Sequence, residues 1–387
     1  MFREYIYQLI VTNCSGKDRL YGEMLNKLRV GLIGLGQISE MHLHGYKDLE
    51  EIDVVAGADL LQDRVEHVTK RWNIRGYQQY EDMLRKENLD IACVLTPAAA
   101  HREVTEKAAE YGVNVLCEKP IAVALNDAKS MIAECRKHGV RLCYAESFRF
   151  MPAFMKAKEM IDQGFLGDLF LLMEIYADGK GVRNWKPLGY NHYPKDGPGG
   201  GGMGLVDHGI HLVDIFRWLT GSEAVSVFGR GNYSGQSPST EYLTVAFENK
   251  AVGQLVYNDA TFSSSMPYEG IFSWGMSWGP TGEIVSGSAW DANPGNVRIH
   301  GTEGALRVFH YANKLFFFAE GQRKQVHVLD QPCPANFGLQ MKSFVRRLKS
   351  DDEPEVTGAD GLKALQIILA AYESFATQRI VSIEPTT

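Results

Sequence analysis

Three side chains in two short motifs are the best candidates for chemistry in this sequence. Lys119 lies in an EKP triplet, and Asp207 and His211 lie in the segment DHGIH. An imidazole titrates near neutral pH, so His211 is suited to accept a proton from an alcohol. The ammonium of Lys119 can hydrogen-bond a reacting hydroxyl and stabilise a developing alkoxide. Asp207 and His211 are four residues apart, so on a helix they share one face and can converge on one ligand.

Each of these three residues also has a simpler explanation. Lys119 could be a solvated surface lysine, Asp207 a helix N-cap and His211 a buried core histidine. The surrounding motifs therefore decide between the two interpretations.

A glycine-rich motif near the start of the chain is typical of a dinucleotide-binding turn. The apolar run 29–33 is followed by GLGQIS. Gly34 permits a tight turn, Gly36 lets the backbone approach a pyrophosphate, and the small Ser39 allows close packing of the following helix. The anion would rest on the N-terminus of that helix.

An acidic residue after the next apolar run indicates which nicotinamide dinucleotide binds. The run 52–58 ends on Asp59, where a carboxylate can bind the ribose hydroxyls. Leu60 and Leu61 follow, so a 2′-phosphate would meet a carboxylate with no basic partner nearby. The sequence thus favours NAD over NADP; the alternative is that Asp59 only ends a strand in a turn.

The elements that must position these residues alternate from Leu28 to about Tyr144. Apolar runs predict strands and amphipathic stretches predict crossover helices, a pattern of βαβ units and a parallel sheet. Thr96-Pro97 and the EKP triplet each follow a strand, at the carboxyl ends where such sheets bind ligands. The predicted strands are 29–33, 52–58, 91–95, 113–117 and 141–144, and the predicted helices include 63–72, 102–111 and 125–137.

After Pro152 the pattern changes to that of an α+β domain. Helices at 153–163 and 208–219 flank a strand at 169–177 and a glycine-rich loop, and consecutive strands follow between 224 and 318 without helices between them. Such runs predict an antiparallel sheet. Helices near 336–349 and 359–378 are expected to pack back on the first domain. The stretch 260–295, rich in Gly, Ser and Trp, either covers a ligand or a subunit neighbour or is a long insertion.

Composition excludes several classes of function. The 387 residues exceed what one core usually organises, and 45% hydrophobic residues, 22% charged residues and a net charge of -7 indicate neither nucleic-acid nor membrane binding. The apolar run 5–11 fits neither a signal peptide nor an anchor, so residues 1–27 are an extension of doubtful order or follow a misassigned start. Six scattered cysteines predict reduced, buried thiols in a cytoplasm and no metal site.

The order of these motifs resembles that of the glucose–fructose oxidoreductase, inositol dehydrogenase and rhizopine-catabolism (Gfo/Idh/MocA) family. The resemblance rests on GxGxxS, Thr96-Pro97 with His101, the EKP triplet, FRFMP at 148–152 and DxGxHxxD at 207–214, and it covers nearly everything after Leu28. EKP and DxGxH in register are specific for the family and not for a substrate.

The resemblance implies a Rossmann domain followed by an α+β domain with an open-faced, mostly antiparallel sheet. It divides the chain into an extension (1–27), an NAD-binding domain (28–150), a substrate-binding and oligomerisation domain (151–335) and C-terminal helices (336–387). The cofactor contacts expected on the motifs are Gly34, Gly36, Gln37, Ile38, Asp59, Thr96, Pro97, His101, Glu118 and Lys119.

The same resemblance gives the three chemical residues their roles. Lys119 matches the family's active-site lysine, and Asp207 and His211 match its catalytic aspartate and histidine. We assign His211 as general base, Lys119 as polariser of the reacting oxygen, and Asp207 as orienting group or substrate-hydroxyl acceptor. Which of His211 and Lys119 takes the proton stays open, because they can titrate as a coupled pair.

Two departures from the family pattern concern the substrate. The glycine run before DxGxH is shifted, and Phe148 replaces one of two adjacent arginines, which disfavours a strongly anionic substrate and suits the apolar side of a pyranose ring; alternatively Phe148 packs under the sheet. The candidate substrate contacts are Phe148, Arg149, Trp185, Asn191, His192, Tyr193, Lys195, Asp207 and His211.

These expectations describe an NAD-dependent dehydrogenase that oxidises a secondary hydroxyl of a sugar, sugar acid, anhydrosugar or cyclitol. The alternatives are a redox-neutral glycosidase or lyase acting through a transient keto-sugar, and a non-catalytic NAD-binding regulator. No metal is needed, because Lys119 and His211 can supply the electrophile and the base. The open sheet face predicts a homodimer or homotetramer.

Overall fold

The first sheet forms from short, almost fully buried apolar runs. The computed structural model describes residues 27–177, 204–234, 237–258, 296–310, 313–329 and 335–384. Six parallel strands lie in the order β3-β2-β1-β4-β5-β6, which confirms the predicted Rossmann-like sheet. The strands are β1 (Leu28–Ile33), β2 (Ile52–Ala58), β3 (Arg75–Tyr77), β4 (Ile91–Val94), β5 (Asn114–Cys117) and β6 (Leu142–Tyr144).

Five helices connect these strands. They bury one face at helical spacing, as α5 does with Ala128, Met131 and Cys135. The helices are α1 (Gln37–Tyr46), α2 (Gln62–Trp72), α3 (Tyr80–Lys86), α4 (His101–Glu110) and α5 (Leu125–Lys137).

The second sheet has nine strands in the order β14-β13-β12-β11-β7-β10-β9-β8-β15. Only β7 and β10 pair in parallel among these strands, and the other pairs are antiparallel, so the prediction of a mostly antiparallel sheet is confirmed. The strands are β7 (Leu169–Ala177), β8 (Ala224–Ser234), β9 (Ser237–Phe247), β10 (Val252–Asn258), β11 (Asn296–Gly301), β12 (Ala305–Phe309), β13 (Lys314–Ala319), β14 (Gln322–Val326) and β15 (Val381–Ser382).

Within the described ranges, helices cover one face of this sheet and the other face is open. α6 (Pro152–Asp162) and α7 (Ile210–Thr220) share a hydrophobic core with the inward side chains of the strands. On β7, Ile175 points away from the helices, on the opposite side from buried Leu172 and Glu174, and is 56% exposed. The described residues include no helix of the length and hydropathy needed to cross a membrane.

The sequence predicts that both C-terminal helices pack back on the first domain. Both do contact it, but the second of them also packs on the second domain. α8 (Ala335–Lys349) contributes Met341 and Phe344 to the core beside β1. α9 (Gly358–Thr377) instead contributes Leu365 to the first domain's core and Ile368 to the second domain's core, because it is apolar on more than one face. After α9, strand β15 joins the second sheet through β8.

The cysteines that the structure describes are free and buried, in agreement with the sequence. Burial raises the pKa of Cys93 and Cys135 to about 12, so both thiols stay protonated and unreactive. Cys14, Cys333, residues 1–26 and the Trp-rich stretch 260–295 lie outside the described residues.

Candidate active site

The glycine turn between β1 and α1 has the geometry that dinucleotide binding needs. Gly34 has φ +96°, and a Cβ there would lie 2.7 Å from the backbone carbonyl of Leu95. A Cβ on Gly36 would meet nothing within 4 Å, so open space lies beside the backbone where a pyrophosphate could approach. Gly36 is also the N-cap of α1 and provides no side-chain cap, which leaves the helix N-terminus available to an anion.

The helix side of this turn is held by Ser39. Its side chain is buried, and its hydroxyl donates to the carbonyl oxygen of Gly36 at 2.6 Å. Gln37 is exposed and Ile38 is half-buried at the start of α1, as expected for residues beside a ligand cleft.

Asp59 follows β2 and faces the glycine turn. Its carboxylate accepts the backbone N–H groups of Leu35 and Leu61, both at 2.9 Å. Arg64 lies 3.4 Å away on α2, with its side chain about half exposed. The expectation that no basic group lies near Asp59 is therefore wrong. Arg64 lies five residues further along the chain, beyond Leu60 and Leu61, and the first turn of α2 brings it close to Asp59.

Two predicted cofactor contacts are buried beneath the strand ends and position the loops. His101 places its ring nitrogens 2.9 Å from the carbonyl oxygen of Pro120 and 2.8 Å from that of Thr96. Glu118 lies 2.9 Å from His42 Nε2 and accepts the backbone N–H of Lys119, also at 2.9 Å. Thr96 is half-buried and Pro97 exposed, so the loop after β4 keeps a face toward solvent.

Lys119 and Asp207 form an ion pair between the two domains. The Nζ–Oδ1 distance is 2.5 Å, and Nζ also donates to the carbonyl oxygen of Asp207 at 3.2 Å. Burial alone would lower the pKa of Lys119, but the Asp207 carboxylate holds that pKa above its ordinary value. Burial would likewise raise the pKa of Asp207, and Lys119 holds it below its ordinary value. Lys119 is therefore an ammonium.

The DHGIH segment begins as a π-helical turn rather than as the α-helix predicted from residue 208. The turn spans Gly204–Gly209 and carries Asp207, and α7 starts at Ile210 with His211 in its first turn. A single π turn widens the backbone locally and is frequent at functional sites. Asp207 and His211 still interact electrostatically, as the four-residue spacing predicts.

His211 is held by a carboxylate that the sequence reasoning did not identify. Its Nδ1 lies 2.7 and 2.8 Å from the two carboxylate oxygens of Glu146, which is fully buried. Contact through Nδ1 leaves Nε2 as the nitrogen available for proton transfer. Glu146 follows β6 as Glu118 follows β5, so the rule that ligand-binding residues follow parallel strands could have found it.

The ionisation of this pair follows from its burial. Burial, Lys119 and His208 hold the pKa of His211 well below its ordinary value. Burial also raises the pKa of Glu146 to about 8, although Arg149 and Lys119 oppose that shift. His211 is thus neutral near pH 7, and its Nε2 can accept a proton once Glu146 has lost its own.

Phe148 supports His211 rather than presenting a ring face to the cleft. The two rings are stacked at 4.0 Å between centroids with an interplanar angle of 3°, and Phe148 is 6% exposed. This corrects the expectation of an aromatic platform for a pyranose, because the ring is enclosed within the protein.

Arg149 is likewise engaged inside the protein. Its Nε and Nη2 donate to the two carboxylate oxygens of Asp214 at 2.6 Å each, and Nη2 also donates to Asp360 at 3.2 Å. The expected substrate contact is therefore replaced by a buried bidentate ion pair that joins the FRFMP segment to α7. The other candidate substrate contacts, Trp185, Asn191, His192, Tyr193 and Lys195, lie outside the described residues.

The described site therefore brings together Lys119, Asp207 and His211, with Glu146 behind the histidine. An ammonium donor beside a neutral imidazole can polarise an alcohol oxygen and remove its proton.

Comparison with known proteins assigns both halves of the chain to one oxidoreductase family. Residues 28–146 match a family model described as an oxidoreductase family, NAD-binding Rossmann fold. Residues 158–383 match one described as an oxidoreductase family, C-terminal alpha/beta domain.

Individual relatives match over nearly the whole chain. D-apiose dehydrogenase from Paraburkholderia graminis is 25% identical over 371 residues, 93% of this chain and 91% of that protein. Myo-inositol 2-dehydrogenase from Thermotoga maritima is 25% identical over 365 residues, 92% of this chain and 99% of that protein. The structure of aldose-aldose oxidoreductase from Caulobacter crescentus complexed with glycerol has a TM-score of 0.75 at 23% identity, covering 92% and 100%, and at that identity it supports the fold.

Proposed function

Because this chain belongs to the Gfo/Idh/MocA oxidoreductase family, we propose that it is a dehydrogenase of a secondary hydroxyl on a sugar, sugar acid, anhydrosugar or cyclitol. Relatives named for D-apiose and myo-inositol support a polyol-like substrate. The observation that carries the proposal is the convergence of Lys119 and Asp207 with a neutral His211 whose Nδ1 contacts Glu146.

The residues of the first domain fit a nicotinamide dinucleotide, and we propose NAD. The open space at Gly36 and the uncapped N-terminus of α1 suit the pyrophosphate. The Asp59 carboxylate is fixed beside the glycine turn, where it can accept ribose hydroxyls. Arg64 opposes this preference by offering a charge to a 2′-phosphate, so both cofactors must be compared. When bound, the nicotinamide accepts a hydride from the carbinol carbon.

The protein's own groups manage the hydroxyl proton. Lys119 donates a hydrogen bond to the reacting oxygen and stabilises its developing negative charge. Nε2 of His211 accepts the proton, and Glu146 stabilises the resulting imidazolium through Nδ1. Asp207 holds Lys119 in place as its ion-pair partner. We therefore propose His211 rather than Lys119 as the base, because Lys119 is held as an ammonium by Asp207.

The same proposal includes a cytoplasmic location and a homo-oligomeric state. Buried free thiols are typical of a reducing cytoplasm. The exposed apolar side chain of Ile175 on β7 favours a homodimer or homotetramer, in which a second copy covers the open sheet face.

The test is a substrate panel followed by absorbance of reduced nicotinamide and by mass analysis of products. Inositols, aldoses, sugar acids, anhydrosugars and glycosides are supplied with NAD or NADP. We expect net NADH from one polyol class, and His211→Ala should lower kcat/KM roughly 10²- to 10⁴-fold. His138→Ala, which removes an exposed histidine on the first domain, is the matched control.

Other outcomes would point elsewhere. Product without net NADH would replace the dehydrogenase with a redox-neutral glycosidase or lyase. NAD binding with no turnover of any substrate would favour a regulator. An unchanged rate in His211→Ala would remove the histidine from the mechanism.

A further inference from the structure

A second group of ionisable side chains lies beside the proposed active site and neither transfers a proton nor contacts the substrate in the mechanism above. Glu174 lies on β7, His208 in the π turn, and His310 directly after β12. One donor atom from each lies within 4.8 Å of the other two. His208 Nε2 is 2.7 Å from Glu174 Oε2, and His310 Nε2 is 3.9 Å from Glu174 Oε1.

The carboxylate of Glu174 is incompletely satisfied for a buried charge. The residue is 2% exposed, and Oε1 has no hydrogen-bond partner among the described residues. Burial alone would raise the pKa of Glu174, but His208, whose Nε2 lies 2.7 Å from its carboxylate, helps to hold that pKa below its ordinary value. A buried carboxylate oxygen without a donor is destabilising, because no hydrogen bond compensates for the water that it has lost. A bound cation would remove that destabilisation.

The histidine next to this oxygen is buried with it: His310 is 3% exposed. Imidazole nitrogens and carboxylate oxygens are both common metal ligands, and here they are enclosed together.

We propose that Glu174, His208 and His310 form a binding site for a divalent first-row transition-metal ion, with Zn²⁺ as the best match. Two imidazoles and one carboxylate are a ligand set that zinc uses in tetrahedral sites with a fourth position open to water. Magnesium and calcium take oxygen ligands and are disfavoured by two nitrogen donors. Tetrahedral coordination at zinc bond lengths separates ligand atoms by ~3.4 Å, so movements on the order of 1 Å would close the three donors around an ion.

Such an ion would join three parts of the second domain. It would tie the central strand β7 and the end of β12 to the π turn that carries Asp207. Phe148 lies between the cluster and His211, with its ring centroid 5.3 Å from that of His310 and 4.0 Å from that of His211. The ion would thus fix the backbone that presents the proposed catalytic groups, without contacting them through a shared ligand.

Metal uptake tests the site independently of any enzymatic activity. Full-length protein without a histidine tag is stripped with a chelator and titrated with Co²⁺, whose visible d–d absorption reports tetrahedral coordination. We expect about one Co²⁺ per chain, displaced by Zn²⁺. Glu174→Gln and His310→Gln should each weaken binding by roughly 100-fold or more. His300→Gln changes an exposed histidine on neighbouring β11 and should bind as wild type does.

Thermal unfolding separates loss of the site from loss of the fold. Zn²⁺ should raise the melting temperature of wild type and of His300→Gln but not that of Glu174→Gln. Metal-free Glu174→Gln is compared with metal-free wild type in the same experiment, so that loss of the Glu174–His208 pair is separated from loss of stabilisation by the metal. A wild-type protein that takes up no more Co²⁺ than Glu174→Gln would overturn the proposal.

Discussion

At the residue scale, proton transfer depends on how many protons His211 and Glu146 share. The two groups are in contact at 2.7 Å and titrate as a pair. With one proton, carried on Nδ1 of His211, the ring offers a free lone pair on Nε2. With two protons, Nε2 also carries hydrogen and the base is lost. Lys119, Asp207 and His208 are the charged or titratable neighbours that set this balance.

Alcohol oxidation should therefore rise with pH and level off above about 8. The reason is that burial raises the pKa of Glu146 to about 8, and the pair must lose its second proton through that range. Profiles of kcat/KM against pH measure this directly. Glu146→Gln should remove the rise and lower kcat/KM roughly 10²- to 10⁴-fold, because an amide can hold the imidazole in the wrong tautomer. A Glu146→Gln profile that matches wild type would show that the carboxylate does not control the base.

A second residue-scale prediction tests whether Arg149 stabilises the fold or binds the substrate. Arg149→Met leaves Asp214 as a buried carboxylate without its bidentate partner. The free energy of unfolding should fall by about 3–5 kcal/mol, while KM stays near its wild-type value. Denaturant titration and steady-state kinetics check both parts. Lys137→Met, at the end of α5 with its side chain 65% exposed, is the control and should change stability little. A raised KM with unchanged stability would restore Arg149 as a substrate contact.

The sequence predicted the reactive residues of the site better than their supports. Lys119, Asp207 and His211 were found because motif and chemistry agree on them. Glu146 was not identified, and Arg149 was predicted to bind the substrate. The reason is that their partners, His211 and Asp214, each lie 65 residues away along the chain. Local patterns do not report such separations.

At the element scale, periodicity predicted the strands and helices that are long and apolar. Helix α5 has the predicted bounds, and strand β7 does as well. β3, β14 and β15 were not predicted, because they are short or polar; β14 reads QRKQV and is almost entirely exposed. Such strands are ordered by pairing with a neighbour, which no single segment encodes.

The glycine turn gives an element-scale prediction with an internal control. Gly34→Ala should destabilise the fold by about 2–4 kcal/mol, because φ +96° and a backbone carbonyl 2.7 Å away leave no room for a methyl group. Gly36→Ala should fold normally and bind NAD roughly tenfold or more weakly, because its methyl group points into open space beside the N-terminus of α1. Thermal unfolding and calorimetric titration with NAD distinguish the two. Equal stability loss in both variants would contradict the assignment of this turn.

At the scale of the whole molecule, the open face of the second sheet predicts self-association. Ile175→Glu places a charge on exposed β7 and should convert a homodimer or homotetramer into smaller species. Light scattering during size-exclusion chromatography measures the mass. Leu61→Glu, at an equally exposed position beside the predicted cofactor turn, should leave the mass unchanged. A wild-type monomer would contradict the proposed assembly.

The C-terminal helices also determine when the first domain can be completed during synthesis. Met341 and Phe344 of α8 fill its core, and the backbone N–H of Tyr144 on β6 donates to the carbonyl oxygen of Val356 at 3.0 Å. The nascent nucleotide-binding half therefore leaves the ribosome with part of its interior unfilled. It stays so until the whole second domain has been translated. The first domain is therefore built from segments on both sides of the second domain in the sequence. Cutting the gene between the two domains would yield a first half that lacks part of its own hydrophobic core.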